Sequence, residues 1–292
     1  KFAAHAHAGV VGHALDVVDV LEMRAPGTVS LQLLPFCGVF GFVQVIAALA
    51  AGVKMVMPSG FDAREAAHLA IEHKATHLLA TDDMIHRMIG PGCEEARSDT
   101  PFPHLKACAF ALFNTYLTDL PARAEAHGIP MLAPFGMSEV FSVFAIRRHH
   151  QPMIDRHRAG GTLVNPRARV RARNPETGEI LPDFEAGELE LYSPHLFREY
   201  FGNSTATQAA MTDDGYLKTG DVGYTEPGNA FTYLQRGNDT LRLSGFLVSP
   251  AEIETAVMAA PGVADAQVVA VGTAGGNRPV AFVIEQAGAE VD

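Results

Sequence analysis

The sequence predicts an α/β protein in which a parallel, doubly wound layer is followed by an antiparallel β region and then by part of a small α+β unit. Three observations predict it. Apolar strands alternate with amphipathic helices over the first half of the 292 residues, as parallel strands joined by crossover helices do. From Gly160 onward, short alternating runs are separated by turns, which is typical of antiparallel strands. After Arg236 one helix follows among short strands.

The parallel layer is predicted from apolar runs of strand length, each followed by a longer run with helical periodicity. In chain order the predicted elements are strand Ser30–Leu34, helix Phe40–Ala51, strand Val53–Met57, helix Asp62–His73, strand Ala75–Ala80, helix Asp82–Ile89, strand Leu105–Leu112, helix Leu120–His127 and strand Pro130–Ala133.

The stretch from Leu31 to Val53 is nearly free of charge and has the length of a membrane span. We reject that interpretation because proline and glycine interrupt the stretch at positions 35, 38, 41 and 52. Such breaks divide it into a short buried strand, a loop and a helix. The sequence therefore predicts no integral membrane segment here.

The second half is predicted from alternation and from turn residues. Strands Val170–Arg173 and Glu188–Tyr192 are separated by turns at Asn174–Gly178 and Asp183–Gly187. The final unit is predicted to contain strand Thr240–Leu243, helix Ala251–Ala259 and strands Ala266–Val271 and Pro279–Glu285. Ser249 is the expected N-cap of that helix and Pro250 its first residue, because serine caps helices and proline tolerates their first position.

Composition excludes several classes of function. The formal net charge of −11 argues against nucleic acid and against anionic membrane surfaces, both of which need basic patches. Three well-separated cysteines, Cys37, Cys93 and Cys108, predict neither a disulfide framework nor a zinc site and suit a reducing cytoplasm. The thirteen histidines lack a helical HExxH spacing, so we expect solvated surface rather than a metal site.

The most informative stretch places Asp221 after a Gly turn and Arg236 one hairpin later. A carboxylate and a guanidinium on neighbouring strand ends can bind a ribose diol, because the first accepts from both hydroxyls and the second donates to them. The ordered motifs DGYxxTGD, RxxD and SGFxVSPxEIE resemble those of the AMP-forming acyl-CoA synthetase and adenylating-enzyme superfamily. The resemblance implies a carboxylic acid substrate, with ATP, Mg²⁺ and CoA.

A second motif is Phe135-Gly136-Met137-Ser138-Glu139, similar to the family's aromatic-Gly-x-Thr/Ser-Glu segment. An aromatic face can stack on adenine, a serine hydroxyl can bond an acyl phosphate, and a glutamate can hold a divalent cation. Taken alone, the segment reads as an aromatic-Gly turn at a strand end. Together with Asp221 and Arg236 downstream, it is interpreted as functional, with Phe135 and Gly136 binding the cofactor, Ser138 catalytic, and Glu139 both catalytic and the metal ligand.

The resemblance also indicates where the acid would bind. The family's segment near the nucleotide and acyl sites corresponds to Leu34–Gly41, where Cys37-Gly38 replaces the usual histidine. Cys37 is interpreted as a small apolar filler, because no base is adjacent to it. Apolar residues there predict an apolar aliphatic or aromatic acid, although the same residues would suit a hydrophobic core equally well. The segment has no acidic residue that could pair with the ammonium group of an amino acid, which argues against an amino-acid substrate. The predicted pocket residues are Phe36, Cys37, Phe40, Met137 and Phe141.

Two further family positions depart from the usual pattern. Phe113 and Asn114 occupy the adenine-contacting turn, which is Gly-rich in relatives, and Asn238 occupies the hinge, which is more often Asp or Lys. Asparagine tolerates left-handed backbone angles and Gly237 is permissive, so a hinge is physically reasonable, and an ordinary hairpin loop suits the residues equally well. The implied organisation is a large-domain portion over 1–236, a hinge over 237–240 and the start of a small domain over 241–292.

The resemblance covers nearly all of this chain but only the middle-to-late part of the family pattern. Lys1 corresponds to the catalytic lysine that ends the phosphate loop, and the family's second lysine would follow Asp292. We therefore expect an AMP-forming acid–CoA ligase whose present segment is inactive alone and either self-associates, as in a homodimer, or depends on further segments. A carrier-protein-loading adenylation domain and a non-catalytic adenylate-binding remnant stay open.

Overall fold

The structure, a computed structural model, describes residues 1–111, 117, 119–237, 241–243, 246–248, 250–273, 276–286 and 288. The chain divides into two compact units. The first comprises Lys1–Thr219 with Gly223–Tyr233, and the second comprises Gly220–Val222 with Leu234–Asp292.

The first part of the first unit alternates strands and helices, as the sequence predicts. Its elements are β1 (Ala3–Ala4), α1 (His7–Val20), β2 (Val29–Gln32), α2 (Val39–Ala51), β3 (Lys54–Val56), α3 (Ala63–Glu72), β4 (His77–Thr81), α4 (Asp82–Ala96), β5 (Ala107–Ala111), α5 (Leu120–Ala126) and β6 (Met131–Leu132). The strands β3-β2-β4-β5-β6 form a parallel sheet in that order. The predicted doubly wound layer is confirmed.

Local signals explain where the helices begin and end. The Asp62 carboxylate accepts from Arg64 N and Glu65 N and so caps α3, and the Thr81 hydroxyl caps α4. Gly52 ends α2 in the left-handed conformation at φ 68°, which glycine adopts without steric cost.

Helix α4 is longer than the sequence predicts. We expected it to end at Ile89, but it continues through Pro91 to Ala96, although proline is normally unfavourable inside a helix. Buried Ile85, Met88 and Gly92 lie along its inner side. A Cβ on Gly92 would lie 2.5 Å from the Phe102 ring, so close packing there retains the last turns.

The antiparallel region follows. Its elements are β7 (Phe135–Met137), β8 (Ser142–Ile146), α6 (Met153–Arg156), β9 (Gly160–Leu163), β10 (Arg169–Arg173), β11 (Gly187–Tyr192), β12 (Glu199–Tyr200), α7 (Ser204–Ala210), β13 (Leu217–Glu226) and β14 (Ala230–Arg236). A seven-stranded sheet has the order β10-β11-β13-β14-β9-β8-β7, and a separate two-stranded sheet pairs β1 with β12. The second-half prediction of antiparallel strands is confirmed.

The second unit contains the later elements β15 (Leu241–Leu243), β16 (Phe246–Val248), α8 (Pro250–Met258), β17 (Val263–Thr273) and β18 (Gly276–Glu285). β15 pairs with β16, and β17 with β18, in antiparallel hairpins. The Glu254 carboxylate of α8 accepts from Val268 N of β17 at 2.8 Å. Ser249, the predicted cap of this helix, lies outside the described residues.

Apolar cores cover both faces of the parallel sheet. Successive residues of a strand point to opposite faces, and Leu78 and Leu79 of β4 accordingly belong to different clusters. The first includes Phe110 and Met131; the second includes Phe141, brought from the antiparallel region. A third cluster surrounds Phe231 in the antiparallel sheet.

Among the described residues, no helix has both the length and the apolar content needed to cross a lipid bilayer.

The prediction that the histidines are solvated surface is wrong for His13 and His77, each only 2 % exposed. His77 satisfies its ring by donating from Nε2 to the Leu21 carbonyl at 2.7 Å, so it is a core residue with a hydrogen-bond partner.

Candidate active site

The turn after β7 carries the predicted serine and glutamate. A short 3-10 helix, Ser138–Val140, links β7 to β8. Phe141 and Ser142 then have positive φ angles of 56° and 71°. Two consecutive non-glycine residues in the left-handed region cost on the order of 1 kcal/mol or more each. The surrounding packing therefore holds this turn in a strained conformation.

Phe135 and Gly136 belong to β7, the strand of the antiparallel sheet that leads into the turn. The Phe135 ring is 5 % exposed and packs edge-on against Phe231, with ring centroids 5.1 Å apart, and against Tyr233 at 5.5 Å. A Cβ on Gly136 would lie 2.4 Å from the Ser142 carbonyl, so glycine permits the close approach of β7 and β8. Stacking of Phe135 on adenine stays a prediction.

Glu139 is held by a residue that the sequence did not indicate. The Tyr200 hydroxyl donates to Glu139 Oε1 at 2.5 Å, and Phe197 N donates to the Glu139 carbonyl at 2.8 Å. Lys1 Nζ lies 4.7 Å from the centroid of the Tyr200 ring. The structure therefore brings Lys1 and Glu139, two of the predicted catalytic residues, to the same tyrosine. The contact between Glu139 and Tyr200 joins residues 61 positions apart, and no sequence motif indicates it.

Ser138 is exposed, and its main chain is anchored by a histidine. His5 Nε2 lies 2.8 Å from the Ser138 carbonyl oxygen. Since a carbonyl only accepts, this nitrogen must carry the proton. The same imidazole lies edge-on to Phe141, with ring centroids 5.2 Å apart. The histidine thus links the predicted catalytic turn to the first strand of the chain.

The predicted ribose pair lies in the second unit. Arg236 Nη1 donates to Asp221 Oδ1 at 3.0 Å; the Asp221 side chain is 4 % exposed, whereas that of Arg236 is 45 % exposed. A Cβ on Gly237 would lie 2.7 Å from the Gly220 carbonyl oxygen, so Gly237 lies closely beside Gly220 of β13. A charge-assisted bond of this kind fixes both side chains in a defined arrangement.

The loop predicted to line the acid pocket is fixed by one buried side chain. Gln32, at the carboxyl end of β2, donates from Nε2 to the carbonyls of Leu34 at 2.7 Å and Gly41 at 3.2 Å. These two bonds join the start of the loop to the first turn of α2. Phe36, 52 % exposed, and Cys37 lie on the solvent side between them.

The other predicted pocket residues lie in two clusters. Phe40 and Phe141 pack in the second core cluster, and the Phe42 ring lies 5.7 Å from that of Phe141. Met137 packs against the third cluster instead. A cavity of about 280 Å³ lies elsewhere, at the amino ends of the parallel strands; its lining includes His77 and Lys106 and none of the predicted site residues.

Phe113 and Asn114, assigned to the adenine-contacting turn, and Asn238, assigned to the hinge, lie outside the described residues.

His5, His13 and His195 form a histidine cluster next to Phe141, the residue that follows the predicted catalytic turn. Burial, with the nearby His195 and His5, lowers the pKa of His13 to about 3. Burial also lowers the pKa of His195, although Asp16 lies 3.3 Å from its Nε2 and opposes the shift. Burial raises the pKa of Asp16, against the hydrogen bond from Asn165. The lowered pKa values leave the rings of His13 and His195 largely uncharged at neutral pH.

The metal-ligating capacity of the site rests on one carboxylate. Within the described part of the chain, no group of three His, Cys, Asp or Glu side chains could hold an ion. Mg²⁺, however, is commonly bound by one or two carboxylates together with substrate phosphates and water. Glu139 fits that mode, because Tyr200 occupies only its Oε1 and a carboxylate has acceptor sites on both oxygens.

Comparison with known proteins places the chain in context. The family described as AMP-binding enzyme matches residues 1–201. A 4-coumarate–CoA ligase-like protein of Arabidopsis thaliana is 27 % identical over 267 residues, covering 90 % of this chain and 46 % of that protein. The chain spans about half the length of the curated relatives that it matches first.

Solved structures agree in fold. ATP-bound MatB from Rhodopseudomonas palustris superimposes with a TM-score of 0.83 and 25 % identity, over 99 % of this chain and 56 % of that one. O-succinylbenzoate coenzyme A synthetase (MenE) from Bacillus subtilis, in complex with AMP, gives a TM-score of 0.84 at 20 % identity, over 99 % and 57 %. The second likeness concerns the fold alone.

Proposed function

The chain belongs to the AMP-binding enzyme family, and on that premise we propose that the protein activates a carboxylic acid with ATP and transfers the acyl group to CoA. The Asp221–Arg236 pair, a buried carboxylate bonded to a half-exposed guanidinium, is the observation that carries the proposal. The 4-coumarate–CoA ligase-like relative supports the reaction type. The ATP-bound state of MatB supports the nucleotide.

The proposed reaction has two steps. A carboxylate oxygen of the acid attacks the α-phosphorus of ATP, and the bond to the β-phosphate oxygen breaks, releasing pyrophosphate and leaving an acyl-adenylate. The deprotonated thiol of CoA then attacks the acyl carbon, forming the thioester and releasing AMP. Positioning and charge neutralisation supply most of the rate enhancement in such transfers. When bound, Mg²⁺ neutralises phosphate charge.

Each predicted residue has a proposed role. Asp221 and Arg236 bind the ribose, Phe135 contacts adenine and Ser138 donates to the acyl phosphate. Glu139 is the residue that would hold Mg²⁺. Lys1 would bind phosphate; the position of its ammonium over the ring of Tyr200, whose hydroxyl bonds Glu139, supports this.

We propose that the acid is apolar beyond its carboxylate and lacks an α-amino group. The aromatic surroundings of Phe141, which include Phe42, support this. So does the lack of acidic side chains over Phe36–Gly41, because an ammonium group would need a carboxylate partner. The aliphatic and aromatic classes are both compatible with these residues.

The domain boundaries are also a proposal. A large-domain portion over 1–236, a hinge over 237–240 and a small domain from 241 are supported by the clustering of Leu234–Asp292 in the second unit. Asn238→Pro should leave adenylate formation intact and slow thioester formation, because proline restricts the backbone rotation that a hinge requires. Equal losses in both steps would contradict the hinge.

The decisive experiment, carried out on the intact protein because we expect the present segment to be inactive alone, is a substrate panel scored by pyrophosphate release and by thioester formation. We expect release with aryl or aliphatic acids, and thioester only when CoA is added. Transfer to a carrier protein but not to CoA would indicate an adenylation domain. Nucleotide binding without pyrophosphate release would indicate a non-catalytic adenylate-binding protein. Preference for an amino acid would contradict the acid class.

A cytoplasmic location stays a prediction from the three separate cysteines.

A further inference from the structure

The side chains of Lys1, Tyr200 and Glu139 lie in series. The lysine Nζ is 4.7 Å from the centroid of the tyrosine ring, and the tyrosine hydroxyl donates to Glu139 Oε1 at 2.5 Å. Tyr200 is only 7 % exposed. A phenol bonded to a carboxylate at this distance forms a charge-assisted hydrogen bond, which is stronger and more directional than a neutral one.

The position of Tyr200 is fixed by its surroundings. Its backbone pairs with Ala3 across the two-stranded sheet of β1 and β12. Its N donates to Thr207 Oγ1 at 2.9 Å, and its carbonyl accepts from Asn203 N at 2.9 Å. The ring packs on Phe197, with centroids 4.9 Å apart. The hydroxyl therefore has little freedom to move away from Glu139.

Glu139 is tied to the same segment through its main chain. Phe197 N donates to the Glu139 carbonyl at 2.8 Å, so the segment Phe197–Tyr200 holds both the backbone and the side chain of the glutamate. One carboxylate oxygen is directed toward the tyrosine, which sets the orientation of the other. A metal that requires near-ideal octahedral geometry depends on such orientation.

We propose that Tyr200 is a positioning residue that fixes the orientation of the Glu139 carboxylate, the group that would hold Mg²⁺, with the Lys1 ammonium held over its ring. The inference rests on the proposed function, because it requires Glu139 to be the metal ligand. The ammonium is attracted to the face of the ring, and the hydroxyl of the same ring bonds the Glu139 carboxylate. Tyr200 thereby connects the lysine assigned to phosphate with the glutamate assigned to metal.

The test separates orientation of the carboxylate from simple filling of the core. Tyr200→Phe removes the hydroxyl and keeps the ring. With Mn²⁺ as the probe and α,β-methylene-ATP as the nucleotide, free Mn²⁺ measured by electron paramagnetic resonance should show metal affinity about 10-fold weaker, as expected for loss of one charge-assisted bond. Tyr192→Phe is the matched control, because it removes a hydroxyl from an exposed ring and should leave affinity unchanged.

Glu139→Gln distinguishes the two possible failures. If it weakens Mn²⁺ binding while Tyr200→Phe does not, the positioning role is overturned and the proposed function stands. If Glu139→Gln leaves Mn²⁺ binding unchanged, the metal role of Glu139 is wrong, and the positioning role fails with it. If both act as proposed, Tyr200→Phe combined with Glu139→Gln should bind Mn²⁺ no more weakly than Glu139→Gln alone.

A second measurement does not depend on the folding of Tyr200→Phe. In protein labelled with 3-fluorotyrosine, Glu139→Gln should shift one ¹⁹F resonance of this chain's six tyrosines in the absence of nucleotide, because the charged acceptor of one phenol is lost. An unchanged spectrum would overturn the Tyr200–Glu139 contact and the proposal built on it.

Discussion

Arg236 Nη1 and Asp221 Oδ1 lie 3.0 Å apart, with the carboxylate buried and the guanidinium half-exposed. Removing a carboxylate from water is costly unless a charged partner and hydrogen bonds compensate it. The pair therefore keeps an ionised acceptor in an interior position, where its interaction with a ligand hydroxyl is less weakened by water.

Asp221→Asn should weaken AMP binding about 100-fold, because two charge-assisted bonds to the ribose hydroxyls together contribute about 3 kcal/mol. Calorimetry with AMP measures this, and a thermal melt reports on folding. Asp214→Asn is the matched control, because the exposed Asp214 carboxylate is also bonded to an arginine, Arg171. Equal affinities in wild type and Asp221→Asn would contradict the ribose assignment.

Gly136→Ala should displace the turn that carries Glu139. The added methyl would lie 2.4 Å from the Ser142 carbonyl, and relieving such an overlap costs roughly 1–3 kcal/mol. We expect a lower melting temperature and a Mg²⁺ half-saturation for pyrophosphate release raised several-fold. Gly90→Ala, in a helix with no atom near the new methyl, should be neutral or stabilising. Wild-type behaviour of Gly136→Ala would show that the strands can separate without cost.

Gln32→Leu should release the loop between Leu34 and Gly41. It leaves two carbonyls without their side-chain donor, and we expect the free energy of unfolding to fall by about 1–3 kcal/mol in total. Gln44→Leu is the control, because the Gln44 amide bonds Ser30 Oγ and the Leu31 carbonyl and none of the loop. Hydrogen exchange over the loop should accelerate only in Gln32→Leu. If both variants exchange alike, Gln32 does not fix the loop.

His13 should make the protein less stable in mild acid. Its folded-state pKa of about 3 lies below the unfolded value of about 6.5, so between these values the unfolded state binds more protons. Stability then falls as pH decreases, by about 2 kcal/mol at pH 5. Urea unfolding at pH 7.5 and pH 5 should show a smaller decrease for His13→Gln than for the wild type.

The control for that experiment is a histidine with the opposite shift. A hydrogen bond from Glu95 raises the pKa of exposed His68, so its contribution is present in acid and is lost as pH rises through the raised pKa. His68→Gln should therefore slightly reduce stability at pH 5. Identical pH profiles for wild type and His13→Gln would show that His13 accommodates a proton when folded.

The parallel layer could be predicted from sequence because its signals are local. The strand around Leu78 and the helix capped by Asp62 follow from apolar periodicity and capping chemistry. The Asp221–Arg236 pair could also be predicted, since the two residues flank one hairpin. The predicted end of α4 at Ile89 falls too early, because close packing around Gly92 retains the turns up to Ala96.

The contacts that sequence could not reveal are those between distant segments. Tyr200 meets Glu139 only because β12 pairs with β1 and the turn after β7 lies beside them. Burial of His13 depends in the same way on Phe141 and His195, from other parts of the chain. The periodicity of a sequence cannot reveal such contacts, because they depend on which distant strands and turns become neighbours in the folded protein.

The three cysteines differ in accessibility in a way that offers a chemical handle. Burial raises the pKa of Cys108 to about 12, and burial also raises that of Cys93, so both thiols are largely unreactive at neutral pH. Cys37 is exposed on the loop that Gln32 fixes. A maleimide fluorophore should therefore label this position selectively, giving a single optical reporter of how that loop responds when an acid is added.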